Sequence, residues 1–251
     1  MTVIDSGKVQ AVLFDLGETL LTFGRLDTSY YFKLGAELTY NYLKQSEQPV
    51  GNFRVYRFRN LFAIRWQYFL SSISGNDFDA LDLLKKIGLR RGYRLSDAQW
   101  DQLCWLWYEP LSTQGKVEPD IKETLGRLRD MNLKLGVLSN TFINSSSLNR
   151  QLSKLGMLEY FDEIMYSYEF NSRKPNEKIF IEASEKIGFA PVNIAFVGDR
   201  IDKDIQPALK LGMMAVLKDA YTNAGRRTPV GAHRIEAISQ LPKIVESINR
   251  S

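Results

Sequence analysis

The chain has 251 residues, 44% hydrophobic and 25% charged, which suits one large domain or a core carrying a smaller insertion. Its 33 Lys and Arg against 29 Asp and Glu give a net charge of +4, spread along the chain, so nucleic acid is not an expected partner. A single Cys (Cys104) and a single His (His233) exclude an intrachain disulfide and a Cys/His zinc cluster, leaving carboxylates, hydroxyls, Lys and Arg to carry any chemistry.

The first residues, Met1 to Lys8, are polar, and the apolar run Ala11 to Phe14 is too short for a signal peptide or a membrane span. A soluble, cytoplasmic protein with no membrane partner is the expectation. That first run, from Val9 to Phe14, reads as a buried strand. Residues 23–114 break the pattern. They hold most of the aromatic residues and all four Trp, and their apolar spacing is helical, as in Leu61, Ile64 and Tyr68. This stretch is expected to be an all-α domain inserted after the first strand. Its aromatic density fits either an apolar substrate pocket or a small helical core filled with large side chains.

From residue 115 onward, short apolar runs alternate with helical stretches. The runs are Leu133 to Leu138, Glu163 to Tyr166, Ile194 to Val197 and Met214 to Leu217, with His233 in a late edge strand. Between them, 119–131 places Ile121, Leu125, Leu128 and Met131 on one stripe. Helices over 145–156, 176–188 and 203–212 each end on a glycine, which suits a left-handed C-terminal cap. This order predicts an α/β fold with a doubly wound parallel sheet, residues 1–22 and 115–251 forming the core and 23–114 the helical insertion.

In such sheets ligands sit beyond the carboxyl ends of the strands. Asp15 follows the first run, Ser139 and Asn140 the second, and Gly198 and Asp199 the fourth, with Asp202 and Asp204 close behind; Arg173-Lys174-Pro175 lies downstream of the third. Clustered carboxylates persist where a Lys or a divalent cation neutralises them, and Mg²⁺ takes oxygen ligands that include substrate phosphate. A Lys and a Ser hydroxyl suit the remaining phosphate oxygens, and a carboxylate beside phosphorus can act as nucleophile. The set reads as Mg²⁺-dependent phosphoryl transfer on a small phosphorylated substrate.

Four segments resemble the motifs of the haloacid dehalogenase (HAD) superfamily of phosphatases: Val12 to Leu20 around Asp15, Val137 to Asn140, Arg173-Lys174-Pro175 with Ile179-Phe180, and Phe196 to Ile205. The resemblance implies a Rossmann-like core, with Asp15 as nucleophile and metal ligand. It implies the Gly17 carbonyl and Asp199 as further ligands, with Asp204 supporting the metal. Ser139 and the Asn140 N–H would bind phosphate, and Lys174 would pair with phosphate and Asp15. The long interval from Asp15 to Ser139 and the short one from Ser139 to Lys174 imply one helical cap, inserted after the first motif.

The sequence departs from that pattern at Gly17, where the family usually carries a second Asp as general acid and base. Glu18 is the nearby candidate to replace it. Without a replacement, alkyl phosphates should turn over slowly and good leaving groups less so. Two alternatives remain: a metal-independent 2-haloacid dehalogenase-like hydrolase, against which Gly198, Asp199 and Asp204 stand, and a catalytically weakened module that still binds a phosphometabolite. Arg54, Arg57, Arg59 and Arg65 are read as a solvated helix face, Arg200 as a candidate substrate contact, and Asp202 as a partner for loop N–H groups.

Overall fold

A computed structural model describes residues 8–170 and 172–250. Residues 1–7 of the expected core segment lie outside this range, as do Asn171 and Ser251. Six strands form one parallel sheet: β1 (Ala11–Phe14), β2 (Lys134–Ser139), β3 (Glu163–Tyr166), β4 (Ile194–Gly198), β5 (Met214–Lys218) and β6 (His233–Ile235). Their order is β3-β2-β1-β4-β5-β6, the doubly wound order expected. β1 sits centrally with all four residues buried, and Phe14 lies level with Val137 of β2 and Val197 of β4. The carboxyl ends of β1, β2 and β4 therefore share one edge. The order in which strands are added reverses between β1 and β4, which is where such sheets place ligands.

The expected Gly caps are present in detail. α7 (Glu177–Ile187) starts on Asn176, whose side chain accepts from Lys178 N, and stops at Gly188 with φ of 89°. α5 (Ile121–Asp130) buries Ile121, Leu125 and Leu128, as its stripe predicts. The 203–212 helix is shorter than expected. Ile201–Ile205 forms a wide π-helical turn, and the regular helix α8 spans only Gln206–Lys210. The wide turn brings Asp204 back to the strand end, with Arg200 N donating to its Oδ2 at 2.9 Å. α9 (Leu241–Arg250) buries Leu241 and Val245.

By contacts the chain falls into two compact units. One comprises the segment up to Gly24, Lys116–Asn140 and the segment from Gly156 onward; the other is Arg25–Gly115 with Thr141–Leu155. At the root of the insertion, Thr22 and Lys116 exchange backbone hydrogen bonds of 2.8 and 2.9 Å.

The second unit is helical: α1 (Thr28–Gln45), α2 (Phe53–Ser74), α3 (Ala80–Leu89), α4 (Asp97–Ser112) and α6 (Ser145–Lys154). Sequence reading kept α6 with the sheet. Its polar face explains the difference: Gln151 accepts from Tyr108 OH and donates to Ser112 O at 2.8 Å, and Asn144 accepts from Cys104 Sγ at 3.0 Å, so these buried amides are satisfied on α4. Both readings of the aromatic density find a counterpart. Tyr56, Tyr93, Trp100 and Leu103 form a packed core. Beside them, Phe32, Ile64, Leu84, Trp107, Leu111 and Phe142 line a cavity of about 530 Å³. Cys104 is buried, as expected, and burial pushes its thiol up to about 12.

Candidate active site

Asp15 is the first residue past β1, and its N–H is held by Val197 O at 2.8 Å, fixing it between β1 and β4. Asp199 follows β4, and Asp204 comes in from the wide turn. One oxygen from each lies within 4.8 Å of the others. Gly198 makes this possible: a Cβ there would stand 2.5 Å from the Asp204 Cβ and 2.6 Å from its Cγ.

Lys174 Nζ lies 2.6 Å from Asp15 Oδ1 and 2.7 Å from Asp204 Oδ1, and both Lys174 and Asp204 are almost fully buried. Burial lowers the affinity of the Lys174 amine for its proton, but Asp15 and Asp204 together hold it above its ordinary value. Three carboxylates against one ammonium leave a surplus of two negative charges. Burial accordingly pushes the Asp15 carboxyl up to about 7, with Lys174 pulling it down and Asp204 and Asp199 adding to the rise. Burial likewise lifts Asp199 to about 6 against the Thr222 hydrogen bond. A surplus of two charges on hard oxygen donors suits a divalent cation such as Mg²⁺.

Asn140 follows Ser139, which is buried at the end of β2. The Asn140 side chain binds the Lys174 backbone on both sides, donating to its carbonyl at 2.8 Å and accepting from its N–H at 2.9 Å. So the sheet edge gathers Asp15, Ser139, Asn140, Lys174, Asp199 and Asp204. Gly17 lies in the turn after Asp15, bridged to Leu21, and a Cβ built on it would meet nothing within 4 Å.

The partners of Glu18, Arg200 and Asp202 bear on how the sequence reads them. Glu18, the candidate replacement acid, takes φ of 58° and turns its Oε1 to the N–H groups of Phe23 and Gly24 at 2.9 and 3.0 Å. That oxygen caps the loop by accepting both N–H groups. The Arg200 guanidinium grips Asp202 through two bonds of 3.1 and 3.0 Å. Asp202 serves that guanidinium and also accepts a backbone N–H of its loop, as expected.

Two residues escaped sequence reading. Thr222 Oγ1 donates to Asp199 Oδ2, and Asn223 Nδ2 donates to Asp199 O at 2.9 Å and Lys218 O at 2.8 Å. Both follow β5, so the rule that singled out the ends of the other strands would have reached them.

A doubly wound α/β core with a carboxylate and lysine centre at its switch point defines a class of hydrolase. A family model of haloacid dehalogenase-like hydrolases matches residues 9–212, and the chain belongs to that family. It is 27% identical over 244 residues to the glyceraldehyde 3-phosphate phosphatase of Methanothermobacter thermautotrophicus, covering 94% of this chain and 100% of that protein. It is 41% identical over 101 residues to the enzyme of that name from Methanopyrus kandleri, a match that spans 40% of this chain and only 42% of the relative. Among solved structures, a HAD phosphatase from Thermococcus onnurineus superposes with a TM-score of 0.58 at 25% identity, covering 94% of this chain and 98% of its own. A 2-haloacid dehalogenase from Pseudomonas syringae shares the fold, with a TM-score of 0.63 at 22% identity, covering 95% and 99%.

Proposed function

We propose that this chain hydrolyses the phosphate ester of a small phosphorylated metabolite, of the sugar-phosphate kind, through a phosphoryl group carried on Asp15. The observation that carries the reading is the buried Lys174 ammonium bridging Asp15 and Asp204 while Asp199 closes the acidic group. The relatives named as glyceraldehyde 3-phosphate phosphatases support the substrate class.

In this reading an Asp15 carboxylate oxygen attacks phosphorus. A bond forms from that oxygen to phosphorus, and the ester oxygen leaves with the bonding pair. Water then attacks the acyl phosphate, releasing inorganic phosphate and restoring the carboxylate. Lys174 neutralises Asp15 and a phosphate oxygen, and the Ser139 hydroxyl and Asn140 N–H donate to the others. Asp15, Asp199 and Asp204, with the Gly17 carbonyl, would hold a Mg²⁺ ion, which supplies positive charge against the phosphate oxygens. No carboxylate at position 17 stands ready to protonate the leaving oxygen, and Glu18 is engaged elsewhere. The reading therefore includes a preference for leaving groups that depart readily as anions. The helical unit acts as the cap that selects the substrate.

Phosphate release from a panel of sugar phosphates and from p-nitrophenyl phosphate, with Mg²⁺ and with EDTA, tests the proposal. Mg²⁺-dependent release that disappears in Asp15→Asn supports it. Chloride release from 2-chloropropionate that ignores EDTA would replace it with the dehalogenase reading.

A further inference from the structure

α2 has two distinct faces. One is buried in the helical unit through Tyr56, Asn60, Ile64 and Ser71. The other points to solvent. Val55, Phe58, Phe62, Trp66, Phe69 and Ile73 are between 46% and 70% exposed. At 3.6 residues per turn these six fall within an arc of about 80° and run for about 27 Å along the axis. Their rings lie against one another, Phe58 on Phe62 with centroids 6.3 Å apart and Phe62 on Trp66 at 6.4 Å. A continuous exposed row of this kind marks an interaction surface.

Charge narrows the partner. α2 carries Arg54, Arg57, Arg59 and Arg65 and no acidic residue. Arg59 borders the row on one side, and Arg54 and Arg65 border it on the other, each within about 40° of its edge. Among the described residues, none of these three pairs with an acid. A second copy of the chain docked on this row would bring like charges together. A partner helix in a left-handed supercoil would need apolar residues every 3.5 positions, which makes the seam wind. Here the six residues recur on average about every 3.6, so the row follows the helix's own period and runs straight. Straight, aromatic and flanked by arginine on both sides, it matches a flat, negatively charged, partly apolar surface.

We propose that the outward face of α2 seats this protein on anionic lipid, with the aromatic row in the headgroup boundary and Arg54, Arg59 and Arg65 against lipid phosphates. Sequence reading took these arginines for a solvated face; the apolar row between them changes that assignment. α2 does not cross the bilayer, since no described helix is long and apolar enough to do so. The inference is independent of the hydrolase reading.

Flotation of the full chain with vesicles of phosphatidylcholine mixed with phosphatidylserine, and with phosphatidylcholine alone, provides the test. Binding is expected on the mixed vesicles, falling steeply with added salt. Each of Arg54→Gln, Arg59→Gln and Arg65→Gln should weaken it about fivefold. The double variant Phe62→Ser/Trp66→Ser should lose it while keeping the wild-type melting temperature. Trp66→Phe, which keeps the row apolar, should still bind but lose the blue shift in emission that the wild type shows on mixed vesicles. Equal binding to both vesicle types, or none, overturns the proposal. So does a dimer, seen by sedimentation, that Phe62→Ser/Trp66→Ser converts to monomer without any vesicle binding, or capture by an acidic helical peptide in place of lipid.

Discussion

Asn140 and Lys174 hold each other through two hydrogen bonds, side chain to backbone in both directions, so the end of β2 sets where the Lys174 ammonium stands. The amide matches a backbone donor and acceptor at once, and aspartate cannot donate while alanine does neither. Asn140→Ala should cost about 1–3 kcal/mol of stability, seen as a lower urea midpoint. Displacing the ammonium by an ångström should lower kcat/KM by about a hundredfold. A variant that folds less stably but retains full turnover would show that Lys174 is placed by its other neighbours.

Gly17 is a position where a side chain fits. It lacks a positive φ, and its built Cβ meets nothing within 4 Å. Gly17→Asp should therefore meet no steric penalty, its cost without cation being repulsion from the nearby carboxylates, which added Mg²⁺ should offset. It should raise the hydrolysis of alkyl phosphates by about 10²-fold or more, as general acid assistance is restored, while p-nitrophenyl phosphate changes little. Parallel assays of the two substrate types check this, and an equal gain on both would mean that leaving-group protonation is not what the glycine withholds.

Gly198 has no such freedom. A Cβ would stand 2.5–2.6 Å from the Asp204 side chain. In Gly198→Ala the carboxylate must move out of its bond with Arg200 N and away from Lys174, at a cost of about 1–3 kcal/mol. Thermal melts should register the loss, and phosphate release should fall with it.

Protons and a divalent cation should compete at the acidic group. An acid whose pKa rises on folding costs stability as pH climbs from its unfolded value toward its folded one. For Asp15 that window runs from 3.8 to about 7, and for Asp199 from 3.8 to about 6. Without cation the protein should thus lose stability across this range and lose no more from these groups above it. Added Mg²⁺ should raise the melting temperature more at pH 8 than at pH 5.5. Asp199→Asn should shrink that difference, and a Mg²⁺ shift that does not depend on pH would place the ion elsewhere.

Much of this architecture could be read from residue order, because buried parallel strands and their carboxyl-end residues are local signals. Asp15, Ser139 and Asp199 each announce themselves beside their own apolar run, and Asp204 follows close behind the last. What stayed hidden depends on distant partners. Nothing near Asn140 says that its amide serves Lys174, and nothing near Thr222 says that its hydroxyl meets Asp199. α6 has an ordinary amphipathic pattern, and its distant partners on α4, Tyr108 and Ser112 among them, are what place it in the helical unit. Nor does the sequence say that Glu18 takes a left-handed backbone and meets Phe23 and Gly24.

The position of β1 constrains the order in which the polypeptide can organise as it is made. Ala11 is made before both of its neighbours, Lys134 and Ile194, so the middle of the sheet must wait for both flanks to leave the ribosome. The segments that form the helices from Thr28 to Ser112 have all been synthesised by then. Once these helices form, the mutual bonds of Thr22 and Lys116 turn a long stretch of intervening chain into a short tether, reducing the entropy lost when β1 and β2 meet.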